Sequence, residues 1–105
     1  MIIQINTDSN IEGDTELAQQ IKTIVRNNLE RFSEQITRVE VHLSDENSDK
    51  KLGTDDKRCL LEARLTGLQP ISVSDQAATL VQAVDCAVEK LKRSLDSTLG
   101  RLGKR

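Results

Sequence analysis

Aromatic residues are almost absent from this sequence, in which Phe32 is the only Phe, Tyr or Trp among 105 residues. Proteins that bind nucleic acid by stacking bases on aromatic side chains need several such residues, so aromatic stacking is excluded as a main binding mode. Any core must be aliphatic. With 36% hydrophobic residues, a chain of this length can still bury a core for one domain, whereas two domains would need a longer chain.

Cysteine and long apolar runs are also scarce. Cys59 and Cys86 lie far apart and form no CxxC motif, and small secreted domains that depend on disulfides usually contain more cysteines. We therefore predict that both thiols are reduced and buried, in a cytoplasmic protein. No stretch of about 18 apolar residues is present, and the N-terminus lacks a basic segment before an apolar one. Neither a membrane span nor a secretory signal is predicted.

The charge of the chain is unevenly distributed, although its net value is only −2. Residues 90–105 contain one acidic residue, Asp96, and a series of basic ones: Lys90, Lys92, Arg93, Arg101, Lys104 and Arg105. The rest of the chain is acidic. Charge that is concentrated at one end produces a local field that the net charge conceals, so binding to a polyanion is not excluded.

Hydrophobic periodicity predicts six elements. Alternation with period two indicates strands, and apolar residues at three- and four-residue spacing indicate helices. The predicted elements are a strand at 2–8, a helix at about 14–33, strands at 36–44, 58–65 and 71–74, and a helix from residue 80. We predict an α+β fold of order β-α-β-β-β-α, with both helices on one face of a four-stranded mixed sheet, as in the layers of double-stranded-RNA-binding domains. Residues 1–98 would form one domain, and residues 99–105 a basic C-terminal tail that frays.

Basic residues recur on one side of the second predicted helix. Lys90, Arg93, Ser97 and Arg101 follow at i+3, i+4 and i+4, which predicts a single stripe beside the apolar one. Lys and Arg on a rigid helix are suited to contacting RNA phosphates. An ordinary solvated helix face, whose cations complement the helix dipole, is the alternative, and spacing alone favours that alternative.

Two weaker groups of cations accompany this stripe. Lys22 and Arg26 form an i, i+4 pair on the first helix, where ordinary surface charge explains them equally well. The outward face of the sheet carries basic and acidic side chains in alternation, namely Arg38, Glu40, His42, Arg58, Glu62 and Arg64. Cross-strand Arg–Glu pairs would neutralise that face, although RNA phosphate could compete for the arginines.

Features typical of enzymes and metal sites are missing. His42 is the only histidine, no serine lies in a GxSxG motif, and neither cysteine has an activating neighbour in the sequence. The acidic loop at 45–58 lacks the spacing of an EF-hand. We therefore predict no enzymatic activity, no metal and no cofactor.

Several strings of residues resemble one protein family. The segment A-V-D-x-x-V-E-K-L-x-R-x-L at 83–95 is similar to the second-helix signature of the bacterial ribosome hibernation-promoting factor and ribosome-associated inhibitor A family, also called the sigma-54 modulation protein family. L-E-R-F-x-x-x-I-x-x-V-x-V at 29–41 is similar to the end of its first helix and its second strand, and N-I-E at 10–12 to its first turn. The resemblance extends over roughly residues 2–96.

The resemblance implies a short-form stress factor that binds the small ribosomal subunit near the decoding channel and inhibits translation by occupying it. Its partner would be the rRNA of that subunit, with no membrane and no small-molecule substrate, and it would be a monomer or a weak dimer. With this resemblance, RNA binding becomes the favoured interpretation of the predicted site residues, which are Lys90, Arg93, Arg101, Lys22, Arg26, Arg38 and Arg64. A regulatory protein-interaction domain of the same fold and a general double-stranded-RNA-binding domain remain the alternatives.

Overall fold

The computed structural model describes residues 1–7, 15–45 and 57–103, with the side chains of Thr15 and of residues 101–103 excepted. Its elements are β1 (Ile2–Thr7), α1 (Thr15–Leu29) followed by a 3-10 turn (Glu30–Phe32), β2 (Ile36–Asp45), β3 (Lys57–Leu65), β4 (Ile71–Ala77) and α2 (Leu80–Gly103). The predicted order is confirmed. Helix α2 continues past the expected boundary at residue 98, and the fraying of residues 99–105 stays a prediction. Residues 8–14, 46–56 and 104–105, which include the N-I-E turn and most of the predicted loop, lie outside the described residues.

The four strands form one mixed sheet in the order β1-β2-β3-β4. Strand β1 pairs parallel with β2, placing Ile3 beside Val39, whereas β2–β3 and β3–β4 are antiparallel. A parallel pair requires a crossover between its strands, and α1 belongs to that connection. The predicted mixed sheet with its antiparallel meander is confirmed.

The period-two pattern of the strands determines which side chains are buried. In β2, Val39, Val41 and Leu43 are buried, while the residues between them face outward. Strand β3 behaves in the same way and buries Cys59, Leu61, Ala63 and Leu65. One sheet face is therefore apolar and covered, and the other is polar and open to solvent.

The helices supply the other half of the core. Ile21, Val25 and Leu29 of α1 are fully buried, and α2 buries a longer stripe that includes Leu91 and Leu95. Helix α1 contacts β1, whereas α2 contacts β3 and β4, so the two helices lie side by side on the same sheet face. Replacing a buried leucine such as Leu91 by alanine would cost about 2–5 kcal/mol of unfolding free energy. Within the described ranges, neither helix is long and apolar enough to cross a bilayer.

The turn between β3 and β4 depends on Gly67. Its φ of +72° lies in the left-handed region, which strains any residue with a side chain. The backbone N–H of Thr66, next to Gly67, donates to the carbonyl of Gln35 at 3.0 Å and ties the turn to the residue preceding β2.

The two thiols occupy different environments. Cys59 is fully buried in β3, as predicted, and the loss of hydration raises the pKa of its thiol to about 12. Cys86 is exposed on α2, so the prediction that both thiols are buried is wrong for Cys86. The reason is its helical position, since it precedes Lys90 by four residues and shares its solvent-facing side.

Candidate nucleic-acid interface

Helix α2 has two exposed flanks, one on each side of its buried stripe. On the side of α1, Lys92 Nζ donates to Asn28 Oδ1 at 3.4 Å, and Asp96 accepts from Arg31 Nη2 at 2.9 Å. On the opposite side, Lys90 Nζ donates to the backbone carbonyl of Ser74 in β4 at 2.9 Å. These contacts show that one flank of α2 faces α1 and the other faces β4.

The two flanks carry opposite charge. We call the residues on the β4 side the cationic flank, which consists of Cys86, Lys90, Arg93 and Ser97. We call those on the α1 side the acidic flank, which consists of Asp85, Glu89, Lys92 and Asp96. Spacings of three, four and seven residues place each set along one side of the helix. The predicted basic stripe is therefore present on a single side of α2 as far as its described side chains extend.

The two cations of the cationic flank differ in their partners. Lys90 is half-exposed and lies 3.7 Å from Asp75 Oδ2, in addition to its hydrogen bond with Ser74. Arg93 is exposed and has no ion-pair or hydrogen-bond partner among the described side chains. Arg101 lies in α2, but its side chain is outside the described residues.

The predicted pair on α1 lies on a different surface. Asn28 marks the side of α1 that meets α2, because it accepts the hydrogen bond from Lys92. Lys22 and Arg26 lie on the opposite side of α1, away from α2. The structure therefore separates them from Lys90 and Arg93, with the helical layer between the two pairs.

The arginines of the outer sheet face are paired with acids. Arg38 donates from Nε to Glu40 Oε2 at 3.0 Å and from Nη2 to the side-chain oxygen of Gln4. Arg64 Nη2 lies 3.9 Å from Glu62 Oε2. These pairs run along each strand rather than between strands, contrary to the prediction, because the register places Arg38 opposite Arg64 and Glu40 opposite Glu62.

Glu40 is the acid at the centre of this face. The hydrogen bond from Arg38 is the main cause that lowers the pKa of Glu40; desolvation raises it in part, and a contact with His42 at 3.4 Å lowers it further. The carboxylate therefore stays charged at neutral pH. Arg38 and Arg64 are accordingly less available to an anionic ligand than their positions in the sequence suggest.

Arg58 is a cation that the set of predicted site residues omits. It faces outward from β3, and its Nη2 donates to Ser74 Oγ at 3.4 Å. The carbonyl of the same Ser74 accepts from Lys90, so a cation of the sheet and a cation of α2 meet at one residue of β4. Residues 58, 74 and 90 have no local relation in the sequence. The strand alternation shows only that Arg58 faces outward.

A shallow depression of about 230 Å³ lies on the outer sheet face beside Arg58. Its lining residues come from three adjacent strands and are Asn6, Thr7, His42, Leu43, Ser44, Arg58 and Leu60. Leu60 supplies an apolar surface, and the polar side chains surround it. No carboxylate is among the described lining residues, which favours a neutral or anionic ligand there.

Two solved structures share this fold. The N-terminal domain of Protein Y from Thermus thermophilus is 20% identical with a TM-score of 0.73, and the alignment covers 93% of this chain and 99% of that chain. A ribosomal subunit interface protein from Coxiella burnetii is 16% identical with a TM-score of 0.70, covering 95% and 99%. At these identities the similarity shows the fold alone.

A family model provides the assignment that the structures cannot. No curated protein sequence matches the chain significantly. The model described as sigma 54 modulation protein / S30EA ribosomal protein, however, matches residues 4–102, which is nearly the whole sequence. The chain belongs to the sigma 54 modulation protein / S30EA ribosomal protein family, and the family resemblance of the sequence is confirmed.

Proposed function

We propose that this protein binds the small ribosomal subunit through rRNA near the decoding channel and inhibits translation in the cytoplasm by occupying that site, without catalysing a reaction. Family membership supports association with the ribosome. The observation that carries the RNA-binding part is the cationic flank of α2. There Arg93 is exposed without an acidic partner among the described residues, beside Lys90, in a chain whose net charge is −2.

The chemistry of such a site is electrostatic. Each Lys or Arg that contacts a phosphate releases a counterion from the RNA, so affinity falls steeply as salt rises. Arg93 would make the main contact, Lys90 would contribute where phosphate displaces Asp75 from it, and Arg101 continues the same helical spacing. Lys22 and Arg26 would contact RNA at the other margin of the helical layer. Arg38 and Arg64 would contribute less, because glutamates already hold them.

The acidic flank of α2 contributes orientation. Two of its carboxylates already pair with Arg31 and Lys92, and none of them attracts phosphate, whereas the cationic flank does. A polyanion therefore binds on the cationic side of the helix. Shape then selects the site, because A-form RNA presents phosphates and 2′-hydroxyls rather than readable base edges. This division explains how a mildly acidic protein can bind RNA.

The test is co-sedimentation of the purified protein with small ribosomal subunits. We expect binding at about 50 mM salt and loss of at least tenfold in affinity by about 200 mM. Binding that salt does not change, or no binding at low salt, would contradict the proposal. Retention of protein partners after nuclease treatment, without subunit binding, would instead favour the regulatory protein-interaction domain.

A variant of the cationic flank makes the test specific. Lys90→Glu would place a carboxylate against Asp75 and the Ser74 carbonyl, so a loss of binding could reflect a loosened β4. Lys90→Gln combined with Arg93→Glu avoids that repulsion. We expect this double variant to keep the thermal unfolding temperature of the parent within a few degrees and to lose subunit binding. Unchanged binding would show that another surface makes the contact.

A further inference from the structure

Leu60 is an exception on the outer sheet face. The other outward positions of β2 and β3 carry polar or charged side chains, whereas Leu60 is a half-buried aliphatic residue among them. It does not belong to the core, which lies on the opposite face of the sheet. The buried core therefore does not explain an apolar residue at this position.

The neighbours of Leu60 are polar groups of several kinds. The register places His42 directly opposite on β2 and Ser74 directly opposite on β4. Arg58 is two residues away on the same strand and face, and Asn6 lies beside His42 on β1. An amide, an imidazole and a guanidinium thus surround one aliphatic surface, and together they line the depression.

Arg58 connects this depression with the cationic flank. Ser74 accepts from Arg58 at its hydroxyl and from Lys90 at its carbonyl. A chain of phosphates that contacts Lys90 at this edge of β4 would therefore come close to Arg58. It would pass Asp75, which pairs with Lys90, but not Glu40 or Glu62. Arg93, Lys90 and Arg58 thus form a series of cations that extends from α2 to the depression.

We propose that the depression holds the base of one unpaired RNA nucleotide, which lies against Leu60 while its phosphate contacts Arg58. This inference rests on the proposed RNA binding. A flat, largely apolar base with polar edges matches an aliphatic surface surrounded by Asn6, His42 and Ser44. A metal cation is disfavoured because the part of the lining that the structure describes has no carboxylate, and the depression is too small for an apolar peptide helix.

The test uses three probes that separate base from phosphate. These are a hexamer of uridylate, a ribose-phosphate hexamer of the same length without bases, and free uridine monophosphate. The variant is Leu60→Ser, which removes the aliphatic surface without changing charge. Its control is Leu68→Ser, because Leu68 is an exposed leucine in the β3–β4 turn and does not line the depression.

We expect the wild-type protein and the Leu68→Ser control to bind the uridylate hexamer about fivefold more tightly than the base-free hexamer, since part of an aliphatic side chain is buried. Leu60→Ser should lose this preference and still bind the base-free hexamer as the wild type does. Arg58→Gln should weaken both hexamers equally. Free uridine monophosphate should bind more weakly than either, because it cannot reach the cationic flank.

Three outcomes would overturn the inference. They are equal binding of the two hexamers by the wild type, an unchanged preference in Leu60→Ser, and binding of free uridine monophosphate as tight as that of the uridylate hexamer. In each case, salt-sensitive binding of the wild type to small subunits would leave the proposed function standing. Failure of subunit binding itself would instead remove the proposed function, so the two failures can be told apart.

Discussion

Two adjacent residues of α2, Lys92 and Arg93, show how differently the two flanks of this helix are used. Lys92 is largely covered and lies within 3.5 Å of Asn28 and Glu89, so its charge is shared inside the molecule. Arg93 is exposed, and no described side chain shares its charge. Of these two adjacent residues, Lys92 therefore has a structural role, whereas Arg93 is available to a ligand.

The acidic flank uses its charges internally as well. Asp96 pairs with Arg31, which follows α1, and Glu89 pairs with Lys92 on α2 itself. The Arg31–Asp96 pair joins α2 to the turn that follows α1, near solvent, whereas the Glu89–Lys92 pair lies within α2. Net charge is therefore a poor guide to binding here, because what matters is which charges have no partner in the folded protein.

The largest expected difference between regions concerns the two thiols. Burial raises the pKa of Cys59 to about 12 from a usual 9.0, which reduces its thiolate at pH 8 about a thousandfold. Cys86 is exposed on the cationic flank. We expect one fast-reacting thiol with an aromatic disulfide reagent in native protein and two after unfolding. Cys86→Ser should remove the fast reaction, and two fast thiols in the native state would contradict the burial of Cys59.

The same thiols provide a footprint and a pH dependence. Bound small subunits should slow the modification of Cys86, since it lies one helical turn from Lys90. Protection of Cys86 would locate the contact on this flank, and the absence of protection would place the contact elsewhere.

The thiol of Cys59 keeps its proton to higher pH in the folded than in the unfolded protein. Its contribution to the free energy of unfolding is therefore present below pH 9 and is lost as the pH rises toward 12.

The second prediction compares Arg93→Glu with Lys92→Glu. Both replace a cation by an anion at neighbouring positions of α2, so the change in net charge is identical. We expect Arg93→Glu to weaken small-subunit binding about tenfold. The slope of log affinity against log salt concentration should become shallower by about 1, which corresponds to the loss of one phosphate contact. Lys92→Glu should change binding less than threefold, because it lies on the acidic flank. Equal losses would mean that net charge, rather than its location, controls binding.

Much of the fold could be predicted from the sequence, because it is encoded in local periodicity. The alternation in β2 places Val39 inward and Arg38 outward, and the parallel pairing of β1 follows from the strand–helix–strand order. The partners of charged side chains could not be predicted in the same way. Whether Arg38 meets Glu40 or Glu62 depends on strand register, and the meeting of Arg58 with Lys90 at Ser74 depends on tertiary packing.

The third prediction concerns Glu40, which holds the cations of the outer sheet face. Glu40→Gln should release Arg38 and His42 and strengthen small-subunit binding about two- to threefold at low salt. In the wild type the lowered pKa means that the stabilising Arg38 contact is present at neutral pH and is lost as the pH falls below 4.5. The free energy of unfolding, measured with urea, should therefore decrease less between neutral and acidic pH in the variant than in the wild type. Weaker binding by Glu40→Gln would mean that Glu40 supports the interface instead of masking it.

The smallest expected effect tests the internal role of the acidic flank at the Arg31–Asp96 pair. Both side chains are more than half exposed, so their 2.9 Å contact should contribute about 0.2–1 kcal/mol. Arg31 also lies over the ring of Phe32 at 4.3 Å, so Arg31→Gln alone would remove two contacts. A double-mutant cycle with Asp96→Asn isolates the ion pair, because the ring contact is lost equally on both sides of the cycle. A coupling energy within this range, together with subunit binding changed less than twofold by Asp96→Asn, would assign the pair to helix packing. A large gain in binding would show instead that Asp96 repels RNA directly and that the two flanks act on the same ligand.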